Sequence, residues 1–158
     1  MRIKPRVFGG GQEKDLRPGT EAMPALVGFG AACAALPGVE SGLAHAATLR
    51  NHLLEQLGGL HGITINSPPD ALPYIINLSI PGMRSEPVLN LLSEMGVYVS
   101  SGSACAKGHK SPVLTALGLP DTRIDSALRI SFSRFTTTQE IDALVAGIKR
   151  VQQVLRRV

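Results

Sequence analysis

Tryptophan is absent from the 158-residue chain, and only two tyrosines and four phenylalanines are present. Few stacking platforms for bases are therefore available, and the basic residues are not interleaved with aromatics, which argues against direct nucleic-acid recognition. Long apolar runs are missing too. No stretch approaches the roughly 20 residues of a membrane span, and the basic opening lacks the ~7–15-residue apolar core of a signal peptide, so a soluble chain with no membrane partner is expected. Cysteine is scarce: Cys33 and Cys105 are the only two, far apart and in no C-x-x-C pair. A disulfide framework and a four-ligand zinc site are both disfavoured, no metal is expected, and the expected setting is a reducing cytoplasm.

What is present fits one ordinary globular domain, with 44% apolar and 18% charged residues. A chain of this length buries roughly 70% of the surface its unfolded form exposes, enough for a core without staples. The net charge of +4 is gathered at the ends, in Arg2, Lys4, Arg6, Lys14 and Arg17 at one and Lys149, Arg150, Arg156 and Arg157 at the other. The imbalance implies a mild preference for anions.

Met1 to Val7 reads as a short strand running straight into Gly9-Gly10-Gly11, an opening that looks cut from something larger. A helix is expected after Thr20, capped by its hydroxyl, with Met23, Leu26, Val27, Gly30 and Ala34 at helical spacing. Cys33, between alanines on that helix, reads as core. A second helical pattern runs from Leu43 to Leu57 and stops at Gly58-Gly59. The period then changes to that of strands at Ile63–Ile65 and Tyr74–Ile80, returns to a helix over Ser85–Met95 with Ser85 as cap, and gives a short strand at Val97–Val99. A further helix is expected near Ser111-Pro112, a strand over Leu128–Phe132, and a terminal amphipathic helix from Thr138 with Ile141, Leu144, Val145, Ile148, Val151 and Leu155 on one side. Alternating elements after residue 60 indicate a two-layer α/β or α+β architecture.

Cys105 follows a run of small residues and precedes Lys107, Gly108, His109 and Lys110. Nearby cations or turn amides would favour its thiolate and make it a nucleophile; otherwise it is a small buried hydrophobe. The loop Gly9-Gly10-Gly11-Gln12-Glu13 with Arg17-Pro18-Gly19-Thr20 is either an anion cradle or a flexible turn. Arg129 interrupts an apolar strand, where a guanidinium requires an internal partner such as Asp125 or a ligand. His45, His52 and His61 have no metal-ligand company and read as surface or satisfied side chains.

Three segments together resemble the cysteine desulfurases, pyridoxal-phosphate enzymes of the class V aminotransferase group. They are Gly9–Glu13 with Arg17-Pro18-Gly19-Thr20-Glu21, then Ser100-Ser101-Gly102-Ser103-Ala104-Cys105, then Ala127 to Thr136, in the order and spacing of the C-terminal portion of that family. The resemblance implies the small α+β domain of a fold-type I transferase, with a small antiparallel or mixed sheet packed with helices and preceded by a long helix. It implies a division into a remnant of the large cofactor domain over 1–21, connecting helices over 22–58 and the small domain with its cysteine loop over 59–158. By the same resemblance Cys105 is the catalytic cysteine that takes sulfur from L-cysteine as a persulfide and leaves alanine, Arg129 grips the substrate carboxylate, and Thr20 reaches the cofactor phosphate of the neighbouring subunit of a homodimer. The loop from Ala106 to Lys110 resembles the longer-loop class that serves iron–sulfur cluster assembly and tRNA thiolation, so an iron–sulfur scaffold is the implied sulfur acceptor. The family's Schiff-base lysine, cofactor-stacking histidine and ring-pairing aspartate belong to a part of the family upstream of this sequence. Neither Lys4 nor Lys14 has the family's Ser/His-x-x-Lys setting, so the chain is expected to be a fragment that binds the cofactor weakly without a large domain. A cofactor-free persulfide carrier and a selenocysteine lyase are the alternatives; an aminotransferase without a catalytic thiol fits Cys105 poorly.

Overall fold

The computed structural model describes residues 3–101 and 110–156. The chain divides into two compact units, Met1–Pro37 and Gly38–Val158.

In the first unit residues 3–22 form turns and bends, not the strand expected over Met1–Val7. Lys4 and Arg6 flank Pro5, which has no N–H to give a ladder, and no strand occurs among the unit's described residues. Glu13, Lys14 and Asp15 sit in succession at positive φ, from 52° to 64°, and the Gln12 side chain accepts the Gly19 N–H at 3.3 Å, folding the loop back on itself. Helix α1 spans Met23–Ala34 with Ala22 at the cap position and no side-chain cap. Thr20 therefore does not cap it, standing two residues too early. No residue of α1 is buried, and Cys33 is exposed where a core position was expected. The reason is visible in the helix itself: its alanines, glycines and large apolar residues run all round, and no second helix or strand occurs among the described residues of its unit to cover a side. The apolar surface from Met23 to Leu36 is open, with Phe29 71% exposed.

The second unit carries a real core. Helix α2 spans Val39–Gly58 and buries Ala46, Leu49, Leu53 and Leu57, spaced three or four apart along one face. Strands β1 (Thr64–Ile65), β2 (Ile75–Ser79) and β3 (Ala127–Ser131) form an antiparallel sheet in the order β1-β2-β3. Between β2 and β3 come α3 (Ser85–Glu94), α4 (Pro112–Ala116) and α5 (Asp121–Ile124), and α6 (Thr138–Val154) closes the chain. Arg84, in extended geometry, holds the cap position of α3, so the expected cap Ser85 is instead its first helical residue. Ser111 does cap α4, accepting the Leu114 N–H. Thr137 and Glu140 form a reciprocal capping box at α6. In place of a strand over Val97–Val99 there is one bridge, Ser100 to Arg129.

Register gives the sheet two faces of opposite character. Ile76 pairs with Ile130 and Leu78 with Leu128, and this face packs on Leu49 and Leu53 of α2, Leu92 of α3 and Ile148 of α6. Asn77 pairs with Arg129, and Ser79 with both Thr64 and Ala127, on the other face. The alternation places every large aliphatic side chain of β2 and β3 except Ile75 in the core. Helices α2 and α6 are further tied by the His52 imidazole and the Asp142 carboxylate at 2.7 Å. Leu128 is fully buried at the centre of the apolar face, so Leu128→Ala should lower the unfolding free energy of this unit by about 2–5 kcal/mol in chemical denaturation; a change within about 0.5 kcal/mol would contradict the packing.

Candidate substrate-binding face

The polar face of the sheet carries Arg129 and Asn77 as a cross-strand pair. Arg129 sits in the middle of β3, half-buried, with Asn77 across from it on β2 and Ser100 bonded to its main chain on the opposite side. The Ser100 N–H donates to the Arg129 carbonyl at 3.1 Å, so the segment that continues toward Cys105 leaves from directly beside Arg129. Cys105 and its neighbours 102–109 lie outside the described residues. Past them, Lys110 pairs with Asp121 at 2.6 Å, and this hydrogen-bonded carboxylate raises the ammonium above its ordinary pKa. Ser111 then starts α4. The cysteine segment is thus bounded by a sheet bridge before it and an ion pair and helix cap after it.

The Arg129 side chain makes no hydrogen bond and no ion pair among the described residues, and its Nε is buried without a partner. The internal pair with Asp125 that would have explained it is not formed. A guanidinium in this position carries an uncompensated desolvation cost that an anion would repay. Its planar fork matches a carboxylate.

Around Asn77 the same face holds a network that sequence reading missed. Arg123 of α5 donates from Nε to Asn66 Oδ1 at 3.0 Å and from Nη2 to the same oxygen and to the Ile65 carbonyl. Asn66 Nδ2 donates to Asn77 Oδ1 at 2.6 Å and to Ser79 Oγ at 2.7 Å, and the Ser79 hydroxyl donates to the Arg123 carbonyl. Residues 66, 77, 79 and 123 are too far apart in sequence to show a motif. The one local signal was a polar residue between Ile76 and Leu78, the same kind of interruption that singled out Arg129.

Thr20 belongs to the first unit, where it is exposed and its hydroxyl makes no hydrogen bond among the described residues. His45 Nε2 lies 3.1 Å from the Thr136 carbonyl and His52 is held by Asp142, as satisfied histidines. No group of three metal-ligating side chains occurs among the described residues. No single helix among them is long and apolar enough to cross a membrane.

Pyridoxal phosphate, the group implied by the resemblance, needs a lysine for its imine. Among the described residues Lys4, Lys14 and Lys149 are exposed and Lys110 is engaged by Asp121. Arg129, with no side-chain partner among the described residues, suits the substrate-facing edge of such a site, but these lysines do not fit its anchor.

Comparison with known proteins agrees with this geometry. The family profile for aminotransferase class-V matches residues 8–144. The chain is 38% identical to a cysteine desulfurase IscS of Vibrio atlanticus (strain LGP32) over 160 aligned residues, covering 99% of this chain and 39% of that protein. It is also 38% identical to a mitochondrial cysteine desulfurase of Arthroderma benhamiae, of which it covers 31%. Among solved structures, a NifS-like protein superposes with a TM-score of 0.83 at 32% identity, and a NifS-like protein of Rickettsia africae with 0.80 at 30%; 98% of this chain is covered in each case, against 40% and 41% of those chains. The chain therefore spans about two fifths of the length of most of these relatives. With a family profile matched along most of its length and the same fold in structures of that kind, the chain belongs to the class-V aminotransferase family.

Proposed function

We propose that the chain is the substrate- and sulfur-handling portion of a pyridoxal-phosphate-dependent cysteine desulfurase. The observation that carries this reading is the half-buried Arg129 guanidinium, with no side-chain partner among the described residues, on the polar sheet face beside which the chain leads toward Cys105. In this role Arg129 receives the carboxylate of L-cysteine and fixes the amino acid's orientation, so that the substrate sulfur is presented to one place. Cys105 attacks that sulfur as a thiolate: a sulfur–sulfur bond forms, the substrate's carbon–sulfur bond breaks, and after protonation at carbon the products are alanine and a persulfide on Cys105. Pyridoxal phosphate, when bound, supplies the electron sink that makes that carbon–sulfur bond cleavable. Thr20 serves its phosphate, in the neighbouring subunit of a homodimer. The persulfide passes to an acceptor such as an iron–sulfur scaffold in a reducing compartment, the cytoplasm, a reading that the scarcity of cysteine supports.

The test mixes the chain with a companion protein bearing the family's Schiff-base lysine, adds pyridoxal phosphate, L-cysteine and a dithiol that reduces the persulfide to thiol and sulfide, and measures sulfide and alanine. Equimolar production of both, absent when either protein is omitted, is the expected result. Two other outcomes would replace the reading. Turnover of selenocysteine alone identifies a selenocysteine lyase, and no turnover with labelling of Cys105 by a persulfide donor identifies a carrier.

A further inference from the structure

We infer that Asn77 is a second carboxylate-binding residue beside Arg129, its side-chain NH2 aimed at the substrate by a hydrogen-bond relay that begins at Arg123. The inference rests on the assignment of Arg129 to the substrate carboxylate and adds to it a neutral donor and the residues that orient that donor.

The orientation of each amide follows from what its neighbour can do. Arginine has donors only, so the atom of Asn66 that meets both Nε and Nη2 of Arg123 must be the carbonyl oxygen. The Asn66 NH2 is thereby turned toward Asn77 and Ser79. Asn77 must then receive that NH2 with its own oxygen, at 2.6 Å. Two amides whose flip state is ambiguous in isolation are both decided by one cation.

Sheet order supplies the direction. Asn66 follows β1 and lies on one side of β2, whereas Arg129 is on β3 at the other. With its oxygen committed toward the β1 side, Asn77 presents its NH2 away from it, on the side of its cross-strand partner Arg129. That NH2 makes no hydrogen bond among the described residues. Directly opposed residues on one face have Cβ atoms roughly 4.5–5.5 Å apart, close enough for one carboxylate to meet both groups. The positive charge of Arg123 polarises the Asn66 amide and, through it, the Asn77 amide, which strengthens the last N–H as a donor to an anion. Arg123 and Asn66 act through Asn77 and are positioning residues.

The test is side-chain nuclear magnetic resonance on the ¹⁵N-labelled full chain, titrated with propionate as the carboxylate probe against sodium chloride at equal ionic strength. The Arg129 Nε–H and Asn77 Nδ2–H2 signals are expected to move together along one saturable curve. Asn77→Asp keeps the oxygen that accepts from Asn66 but removes the donor, so the Asn66 amide signal should hold its position while the propionate midpoint rises roughly tenfold or more. Asn77→Ala, which adds no charge, should raise it about three- to tenfold. If Arg129 responds saturably and Asn77 does not, or if neither substitution moves the midpoint, the role of Asn77 is overturned while that of Arg129 stands. If neither signal responds, both assignments fall together.

Discussion

Cys105→Ser is expected to reduce sulfide formation from L-cysteine to the background of the protein-free mixture, a loss of roughly 10³-fold or more in the two-component assay. The argument is chemical. A thiol ionises near pH 8.5 in water and lower beside cations, and Lys107, His109 and Lys110 follow Cys105 closely in sequence. A serine hydroxyl is not ionised near neutral pH, and its oxygen is a poor acceptor of a sulfur atom. The substitution exchanges a single atom for a smaller one of the same valence, so the denaturation midpoint should stay close to where it was. Persistence of sulfide release at the unsubstituted rate would remove Cys105 from the reaction and with it the proposed function.

Arg129→Ala is the second large effect, and it is expected to separate activity from stability. Loss of a charged grip on a carboxylate costs about 2–4 kcal/mol of transition-state binding, or roughly 30- to 10³-fold in kcat/KM for L-cysteine. Arg129→Lys should recover part of this at most, because a point charge cannot engage both oxygens as a fork does. Stability should respond differently. The guanidinium has no partner among the described residues, so deleting it breaks no bond there and relieves a desolvation cost; the variant should unfold at the same denaturant concentration as the parent or higher. A residue kept for the fold would show the reverse, with lost stability and unaltered kinetics, and that outcome would exclude the carboxylate role.

Much of the second unit was legible in the sequence because its elements obey one period each. The α6 stripe from Ile141 to Val151 buries as its spacing requires, and Leu128-Arg129-Ile130 alternates as a two-faced strand does. The misses occurred where local pattern does not decide. Val97–Val99 has strand-like residues, but only Ser100 finds a partner on β3; pairing is a property of two segments, not one. Cys33 looked buried because alanines surround it, yet composition around a helix says nothing about whether another element covers that side. Arg129 could be singled out because a charge in an apolar strand is costly wherever it lies. Asn66 and Arg123 could not, since both occupy ordinary polar positions and acquire meaning only when antiparallel pairing and α5 bring them to Asn77.

The pairing of Asn77 with Arg129 and of Leu78 with Leu128 makes binding and folding share a single alignment of two strands. A slip of one residue in β3 would turn the guanidinium into the aliphatic layer and bring Ile130 out in its place. The intact site is thus a report on correct strand alignment. A single-residue insertion in β3 should cost the chain its core and its anion grip in one stroke.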